Sequence, residues 1–251
     1  MDRLIYTALT GMNAAMDRQR MTANNLANAS TPGFRKEVFS VTPATPRDGS
    51  PEARSMARGL VRGADMTAAK VNPTGQPLDI AIEGQALIAF QAPVGDGQGG
   101  ELYSRRGDLR VTPTGLLENG EGLPVLGESG APVSVPLGAQ IRIAGDGTVL
   151  ASDPAQPDAE AAAVDRIKLV SPEGSPLAKG IDSFLKVPGG GVLPVDPTAR
   201  VRSGALEQSN VTTAETLVDM IEAQRAFEQR VKVIQTANEL DEASSSLLRM
   251  S

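Results

Sequence analysis

The residue types that usually carry enzyme chemistry are absent from this chain or stand alone in it. The sequence contains no histidine and no cysteine. Serine-histidine-aspartate and cysteine-histidine catalysis are therefore excluded, as are metal sites built from imidazole or thiolate ligands. Asp79 and Glu83 lie on a predicted strand, where a single acid on one face is usually solvated. The sequence thus predicts a protein that is not an enzyme and that has no cofactor and no metal ion.

One glycine-rich stretch has the spacing of a phosphate-binding loop. Residues 95–100, Gly-Asp-Gly-Gln-Gly-Gly, fit the pattern G-x-G-x-x-G of dinucleotide-binding proteins. That pattern binds a pyrophosphate only where a helix follows it, because the helix N-terminus supplies the amide donors. Here Glu101-Leu102-Tyr103 follows, which is typical of a strand. We therefore interpret the stretch as a hairpin loop and expect no small-molecule substrate.

Charge and hydropathy narrow the remaining classes of partner. The net charge is −6, and no basic stripe with interleaved aromatic residues is present, so nucleic acid is not an expected partner. No apolar run approaches the roughly 20 residues of a membrane span. The N-terminus lacks the apolar region and cleavage site of a secretory signal. These features predict a cytoplasmic protein unless a signal-independent export route acts on it.

The chemistry that the spacing does support is helix packing. Apolar residues recur at intervals of three and four along residues 211–251, which predicts one long amphipathic helix. Counted in sevens, they form a seam with polar members, as in a coiled coil whose partner must find one register. The predicted interface residues of this helix are Leu217, Ile221, Gln224, Phe227, Val231, Ile234, Asn238 and Leu248.

A second helix with the same period is predicted within residues 1–33. Its interface residues are Ile5, Leu9, Met12, Met16 and Leu26. An isolated helix of either composition is marginal in water, so each needs a partner. The two termini are therefore predicted to pair as one discontinuous helical domain.

Polar and turn-forming residues follow the first helix. Asn24, Asn25 and Asn28 carry amides that must find partners, either as helix caps or as hydrogen bonds across helices in an assembly. Pro32 cannot continue a helix, so the chain turns there, and Phe34 can anchor the turn against a helix. We include these five residues in the predicted assembly interface.

The middle of the chain, residues 59–195, is predicted to be a β domain. Short alternating or apolar runs such as residues 78–82, 86–90 and 141–143 are separated by glycine and proline, which favours a small barrel or sandwich of short strands. Residues 34–58 are predicted to be a linker or strap, and residues 196–210 a return linker. The predicted fold class is therefore α+β, with helical termini around a mainly-β middle.

Two long motifs resemble a known family. Residues 24–35, Asn-Asn-Leu-Ala-Asn-Ala-Ser-Thr-Pro-Gly-Phe-Arg, are similar to the N-terminal signature of the bacterial flagellar rod and hook proteins. Residues 204–211, Gly-Ala-Leu-Glu-Gln-Ser-Asn-Val, resemble the second signature of that family, which precedes its long C-terminal helix. In the middle region, residues 74–82 and 103–107 resemble the rod members of the family, and residues 124–130 are most similar to the proximal rod members.

The resemblance implies a structural subunit of the proximal rod of the flagellar basal body. Members assemble through their terminal helices into a hollow shaft that transmits torque from motor to hook. Implied partners are other copies, neighbouring proximal and distal rod proteins, and the flagellar type III export apparatus. Implied localisation is the periplasmic rod, reached without a cleavable signal peptide.

Two alternatives remain open from the sequence. A distal rod protein of the same family would share both end motifs. A protein of another class, a β-barrel module that binds the cell wall and dimerises through a helical stalk, would need a platform of exposed aromatic residues. With two tyrosines and no tryptophan, such a platform is not expected.

Overall fold

The structure has a long helix near each end of the chain, and many short strands lie between the two helices in sequence. The computed structural model describes residues 2–44, 56–93, 100–155, 160–180 and 182–249. Most of the glycine-rich stretch at 95–100 and the centre of the predicted linker lie outside these ranges. The predicted α+β class is confirmed, with α1 at Asp2–Ala27 and α2 at Thr213–Arg249.

The described strands are few residues long. They are β1 (Glu37–Ala44), β2 (Met56–Ala64), β3 (Val71–Pro73), β4 (Ile80–Glu83), β5 (Leu87–Gln91), β6 (Glu101–Ser104), β7 (Leu109–Val111), β8 (Leu117–Asn119), β9 (Gln140–Ile143), β10 (Thr148–Ser152), β11 (Ala162–Arg166), β12 (Leu169–Val170), β13 (Ala178–Lys179), β14 (Leu185–Lys186), β15 (Arg200–Ser203) and β16 (Ala205–Glu207).

The chain divides into two compact units, each made of separate segments. The helical unit comprises Met1–Ala27, Glu37–Gly63 and Thr212–Ser251, and the β unit comprises Asn28–Lys36 and Ala64–Val211. In each unit, segments from both ends of the sequence come together.

In the helical unit, α1 and α2 pack against each other in antiparallel orientation. The Arg18 guanidinium lies 3.6 Å from the carboxylate of Asp219, whereas Gly11, earlier in α1, lies against Arg230, later in α2. Strands β1 and β2 pair with each other in the same unit. Residues 37–44 and 56–58, predicted as part of a linker, are therefore strand, because pairing between the two strands stabilises sequences that show little strand pattern alone.

The β unit is built from antiparallel sheets. A five-stranded sheet has the order β12-β5-β6-β14-β13, a three-stranded sheet has the order β11-β10-β9, and the pairs β15-β4, β16-β3 and β7-β8 complete it among the described strands. Strands β15 and β16 lie within residues 196–210. The predicted return linker is therefore wrong for these residues, which complete the β unit.

Strand β5 separates two hydrophobic cores of the β unit. Its side chains alternate, so Ile88 and Phe90 pack in the larger core while Leu87 and Ala89 pack in the smaller one. The ring of Phe90 meets that of Phe184 edge-on at 5.9 Å between centroids. Burial on both faces explains why this strand is a continuous apolar run.

Candidate assembly interface

The two large apolar residues predicted at the start of α2 point away from the helix pair. Leu217 is 46% exposed and Ile221 is 52% exposed. Gln224 and Asn238 are also exposed, whereas Phe227, Val231 and Ile234 are half-buried. The side chain of Leu248 lies outside the described residues. Several members of the predicted seam are thus left open to solvent by this chain.

In α1, too, some of the predicted interface residues are exposed and others are half-buried. Leu9 and Met16 are exposed, and Met12 and Leu26 are half-buried. The side chain of Ile5 lies outside the described residues. Leu9 and Met16 are seven residues apart, which places them on one face of the helix.

Most of the buried residues of the two helices are small, with Met21 and Asn25 of α1 as exceptions. On α2, Thr216, Ala223 and Ala237 are buried, and on α1, Ala14 and Ala15 are buried. The periodicity of large apolar residues did not reveal this face, because closely packed helices have alanine, glycine and threonine at their contact positions. The spacing 216, 223 and 237, in multiples of seven, was the signal available in the sequence.

Gly11 leaves room for the Arg230 side chain of α2. A Cβ atom at this position would stand 1.8 Å from Nη1 of Arg230. A side chain there would therefore displace the Arg230 guanidinium, which now lies across the glycine. Glycine weakens a helix interior, and its presence is explained here by the space that it leaves.

The asparagines after α1 are bonded within the chain. The Asn25 amide donates to the Glu37 carbonyl at 3.1 Å, and its oxygen accepts from the Glu37 N–H at 2.8 Å. Asn24 donates to the Glu37 carboxylate at 2.6 Å. Asn28 accepts from the Thr31 hydroxyl at 3.1 Å. These bonds satisfy amides that the sequence analysis assigned to caps or to cross-helix contacts.

Phe34 is buried inside the β unit. The Lys179 ammonium lies 3.4 Å above the centre of its ring, a cation–π contact. Pro32, two residues earlier, is half-buried in the turn. Phe34 therefore anchors its own chain, and it is not an exposed contact residue.

The two sequence motifs meet around a buried carboxylate that the sequence analysis missed. Glu207 accepts from Nη2 of Arg35 at 2.8 Å and from Nε of Arg105 at 2.6 Å. Its Oε1 also accepts from the N–H of Ala69 at 2.9 Å. All three charged side chains are buried. One carboxylate thus joins an N-terminal, a central and a C-terminal segment of the β unit.

Backbone carbonyls complete the surroundings of Arg105. Its guanidinium donates to the carbonyls of Ile82 at 2.6 Å, Gly84 at 2.8 Å and Ala86 at 2.9 Å. The sequence analysis assigned no role to the Arg105 side chain, which is buried. Burial lowers the pKa of the Arg35 guanidinium, while the Glu207 carboxylate raises it and Arg105 lowers it further.

Gly33 is required at this junction for two reasons. Its φ is 68°, and a Cβ atom would lie 2.3 Å from the backbone carbon of Arg105. Its N–H donates to the carbonyl of Glu207 at 2.8 Å. The Pro-Gly step in the first motif therefore places the backbone directly against the second motif.

Among the described residues there is no candidate metal site and no helix that could span a membrane. None of their acidic side chains come together in a group of three or more that could hold a metal ion. Neither helix, over its described length, is apolar enough to cross a bilayer. The remaining candidates for function are the exposed helix faces and the surface grooves of the β unit.

Both sequence motifs lie in regions that match known protein families. A model of the flagella basal body rod protein family matches residues 5–35, and a model of the C-terminal region of the flagellar basal body rod proteins FlgE, FlgF and FlgG matches residues 202–247. The rod protein FlgF of Salmonella typhimurium is 40% identical, and that of Escherichia coli 41%, over the full length of both chains. The chain belongs to the flagellar basal-body rod protein family.

More distant members of the rod family include proteins with another name. The FlgG protein of Bacillus subtilis is 27% identical over 95% of this chain and 96% of its own length. Within the family-matched regions lie both exposed helix faces and two of the three buried charges, Arg35 and Glu207. The matches therefore cover most of the helix pair, whereas Arg105, the third charged member of the buried cluster, lies outside them.

Proposed function

We propose that this chain is a structural subunit of the proximal rod, assembled through its terminal helices into the hollow shaft that carries torque from motor to hook. The supporting observation is the apolar surface that the helix pair leaves uncovered. Leu217 and Ile221 lie about half exposed on α2, where they would contribute about 1–2 kcal/mol each if a neighbouring helix covered them.

The partners in this proposal are other copies of the chain and neighbouring rod proteins. The exposed faces of α1 and α2 form coiled-coil contacts with helices of these neighbours, and the strands of the β unit form a small barrel or sandwich outside the helical tube. The chain reaches the periplasmic rod through the flagellar type III export apparatus without a cleavable signal peptide. It performs no enzymatic reaction.

Similarity to FlgF, which we take as the proximal rod member, supports the proximal position. The FlgF relatives from Salmonella typhimurium and Escherichia coli are 40% and 41% identical over the full length of both chains. Deletion of the gene is expected to stop growth of the proximal segment of the rod. Arrest of the distal segment alone would support the alternative.

A cell-wall-binding module is disfavoured by the placement of the aromatic residues. Phe34, Phe90, Tyr103 and Phe184 are buried, so none of these four can stack on a glycan from the surface. Purified β unit is therefore expected to stay in solution when mixed with cell-wall sacculi.

The test of the helix interface is Ile221→Asp. Because the side chain is half exposed, we expect the free energy of unfolding of the monomer to change by less than about 0.5 kcal/mol. Because an aspartate cannot be buried unpaired in a packed interface, we expect incorporation into rods and motility to fall by at least tenfold. Quantification of the chain in purified basal bodies measures incorporation, and swarming measures motility.

The matched control is Gln229→Asp. It adds the same charge to the same helix at another exposed position, which lies about 80° around the helix axis from Ile221. Motility of this variant should be close to that of the wild type. Wild-type incorporation of the Ile221→Asp variant would refute the proposed interface.

A further inference from the structure

Strand β9 forms an open edge of its sheet. It pairs with β10, with Ile141 opposite Ala151 and Ile143 opposite Val149. The hairpin bond from the N–H of Ala144 to the carbonyl of Thr148, at 2.8 Å, fixes the phase of this ladder. By alternation along an antiparallel pair, the N–H and C=O groups of Ile141 and Ile143 face away from β10.

These outward groups have no hydrogen-bond partner among the described residues. The opposite edge of the same sheet is partly covered, because the N–H of Glu128 donates to the carbonyl of Arg166 at 3.0 Å beside β11. Free backbone groups along an edge strand are a template for pairing with another strand. Of the two outer strands of this sheet, β9 is thus the one without such cover among the described residues.

Two surface depressions lie beside this edge and share Pro77 and Arg142 in their lining. Beside the end of β9, the N–H of Val201 donates to the carbonyl of Gly145 at 2.9 Å. We refer to the two depressions together as the groove. Their lining includes β9 itself and, across from it, Gly75, Pro77, Leu78, Val111, Ser203 and Gly204.

The side chains beside the groove define what could occupy it. Leu78, Val111 and Ala139 are partly buried against the larger core and give the groove an apolar base. Arg142 is exposed and lines both depressions. It forms no ion pair within the described part of the chain. Asp153, at one end, already accepts a hydrogen bond from the N–H of Ala155 at 2.8 Å.

We propose that β9 is a docking site for an extended acidic peptide segment of a partner protein, which adds to the sheet as a further strand. Four residues of β9 span about 13 Å, so about five residues of the partner suffice. Alternate side chains would point to the apolar base and toward Arg142, which favours a pattern of apolar and acidic residues. The proposal is independent of the helix interface.

The test uses a capped five-residue peptide of alternating valine and glutamate. Titrated into the full-length protein, it should protect the amides of Ile141 and Ile143 from hydrogen exchange and shift their NMR signals, with a Kd on the order of 1 mM. The same peptide with methylated backbone nitrogens on its pairing edge should not bind, because it has lost the donors that pair with β9.

The role of the positive charge of Arg142 is tested with Arg142→Glu. Because Arg142 is exposed, this substitution should leave the fold intact. It should weaken binding of the acidic peptide about fivefold and favour a valine-lysine peptide instead. Absence of protection at millimolar peptide, or equal binding of the methylated peptide, would overturn the proposal. Protection of the same amides that grows with protein concentration alone would also overturn it, since a second copy would then occupy the edge.

Discussion

At the scale of the residue, Glu207 balances two buried guanidinium groups. Removal of one partner of a buried ion network leaves the others charged and unpaired, which typically costs about 3–5 kcal/mol. We expect Glu207→Gln to destabilise the β unit by this amount, because glutamine preserves the volume but not the charge. The free energy of unfolding from urea titration measures the loss.

Glu83→Gln is the matched control. Glu83 also pairs with an arginine, Arg202, at 3.2 Å, but both side chains are more than half exposed. An exposed pair of this kind contributes less than about 1 kcal/mol. Equal destabilisation by the two substitutions would show that the buried cluster has no special role.

Tyr103 gives the β unit a dependence on alkaline pH. Burial raises the pKa of its phenol from 10.0 to about 12, and its hydroxyl accepts from the N–H of Leu193 at 2.9 Å. Between pH 10 and 12 the folded state keeps a proton that the unfolded state loses. The free energy of unfolding should therefore fall by about 1.4 kcal/mol per pH unit in this window, and this contribution is fully present below pH 10.

The comparison variant is Tyr103→Phe, which has no phenol to titrate. Its stability at neutral pH should be lower than that of the wild type, because two hydrogen bonds of the Tyr103 hydroxyl are lost: the one it accepts from Leu193 and the one it donates to the Glu101 carboxylate at 3.0 Å. Its slope above pH 10 should be shallower. Urea unfolding at several pH values distinguishes the two, and parallel slopes would contradict the assignment.

At the scale of the element, the helix pair depends on small side chains. Ala223 is fully buried on α2, so Ala223→Leu should force the helices apart at a cost of about 1–3 kcal/mol. Ala214→Leu adds the same side chain at an exposed position of the same helix and should be close to neutral. Thermal loss of helical circular dichroism compares them, and equal melting of both variants would argue against the observed packing.

The elements that the sequence predicted are those with a local signal. Both helices and the strands around residues 80–83, 87–91 and 140–143 were predicted from periodicity and turn residues, and each is present. Strands β15 and β16 were missed because their partners, β4 and β3, lie more than a hundred residues earlier.

The candidate site was predictable only in part for the same physical reason. The heptad pattern located the exposed residues Leu217 and Ile221, but it could not say that alanines form the contact within the chain. The Arg35–Glu207–Arg105 cluster joins residues up to 172 positions apart, and charged residues carry no periodicity that reveals such a meeting. Its available signal was that Arg35 and Glu207 each lie within a motif.

At the scale of the whole molecule, the two ends of the chain serve different purposes in the two units. The β unit uses Asn28–Lys36 and the strands before α2 to close its own fold. The helical unit keeps small residues inside and presents Leu9, Met16, Leu217 and Ile221 outside. In this arrangement the segments of the β unit close its fold, while the two helices leave large apolar side chains exposed.

The most direct test of this account is the accessibility of position 221 before and after assembly. The chain has no cysteine, so Ile221→Cys introduces a single thiol on the exposed face of α2. In dilute monomer this thiol should react with a maleimide at nearly the rate of a free peptide. In purified basal bodies it should react at least tenfold more slowly, whereas equal rates in both states would contradict burial of this face in the rod.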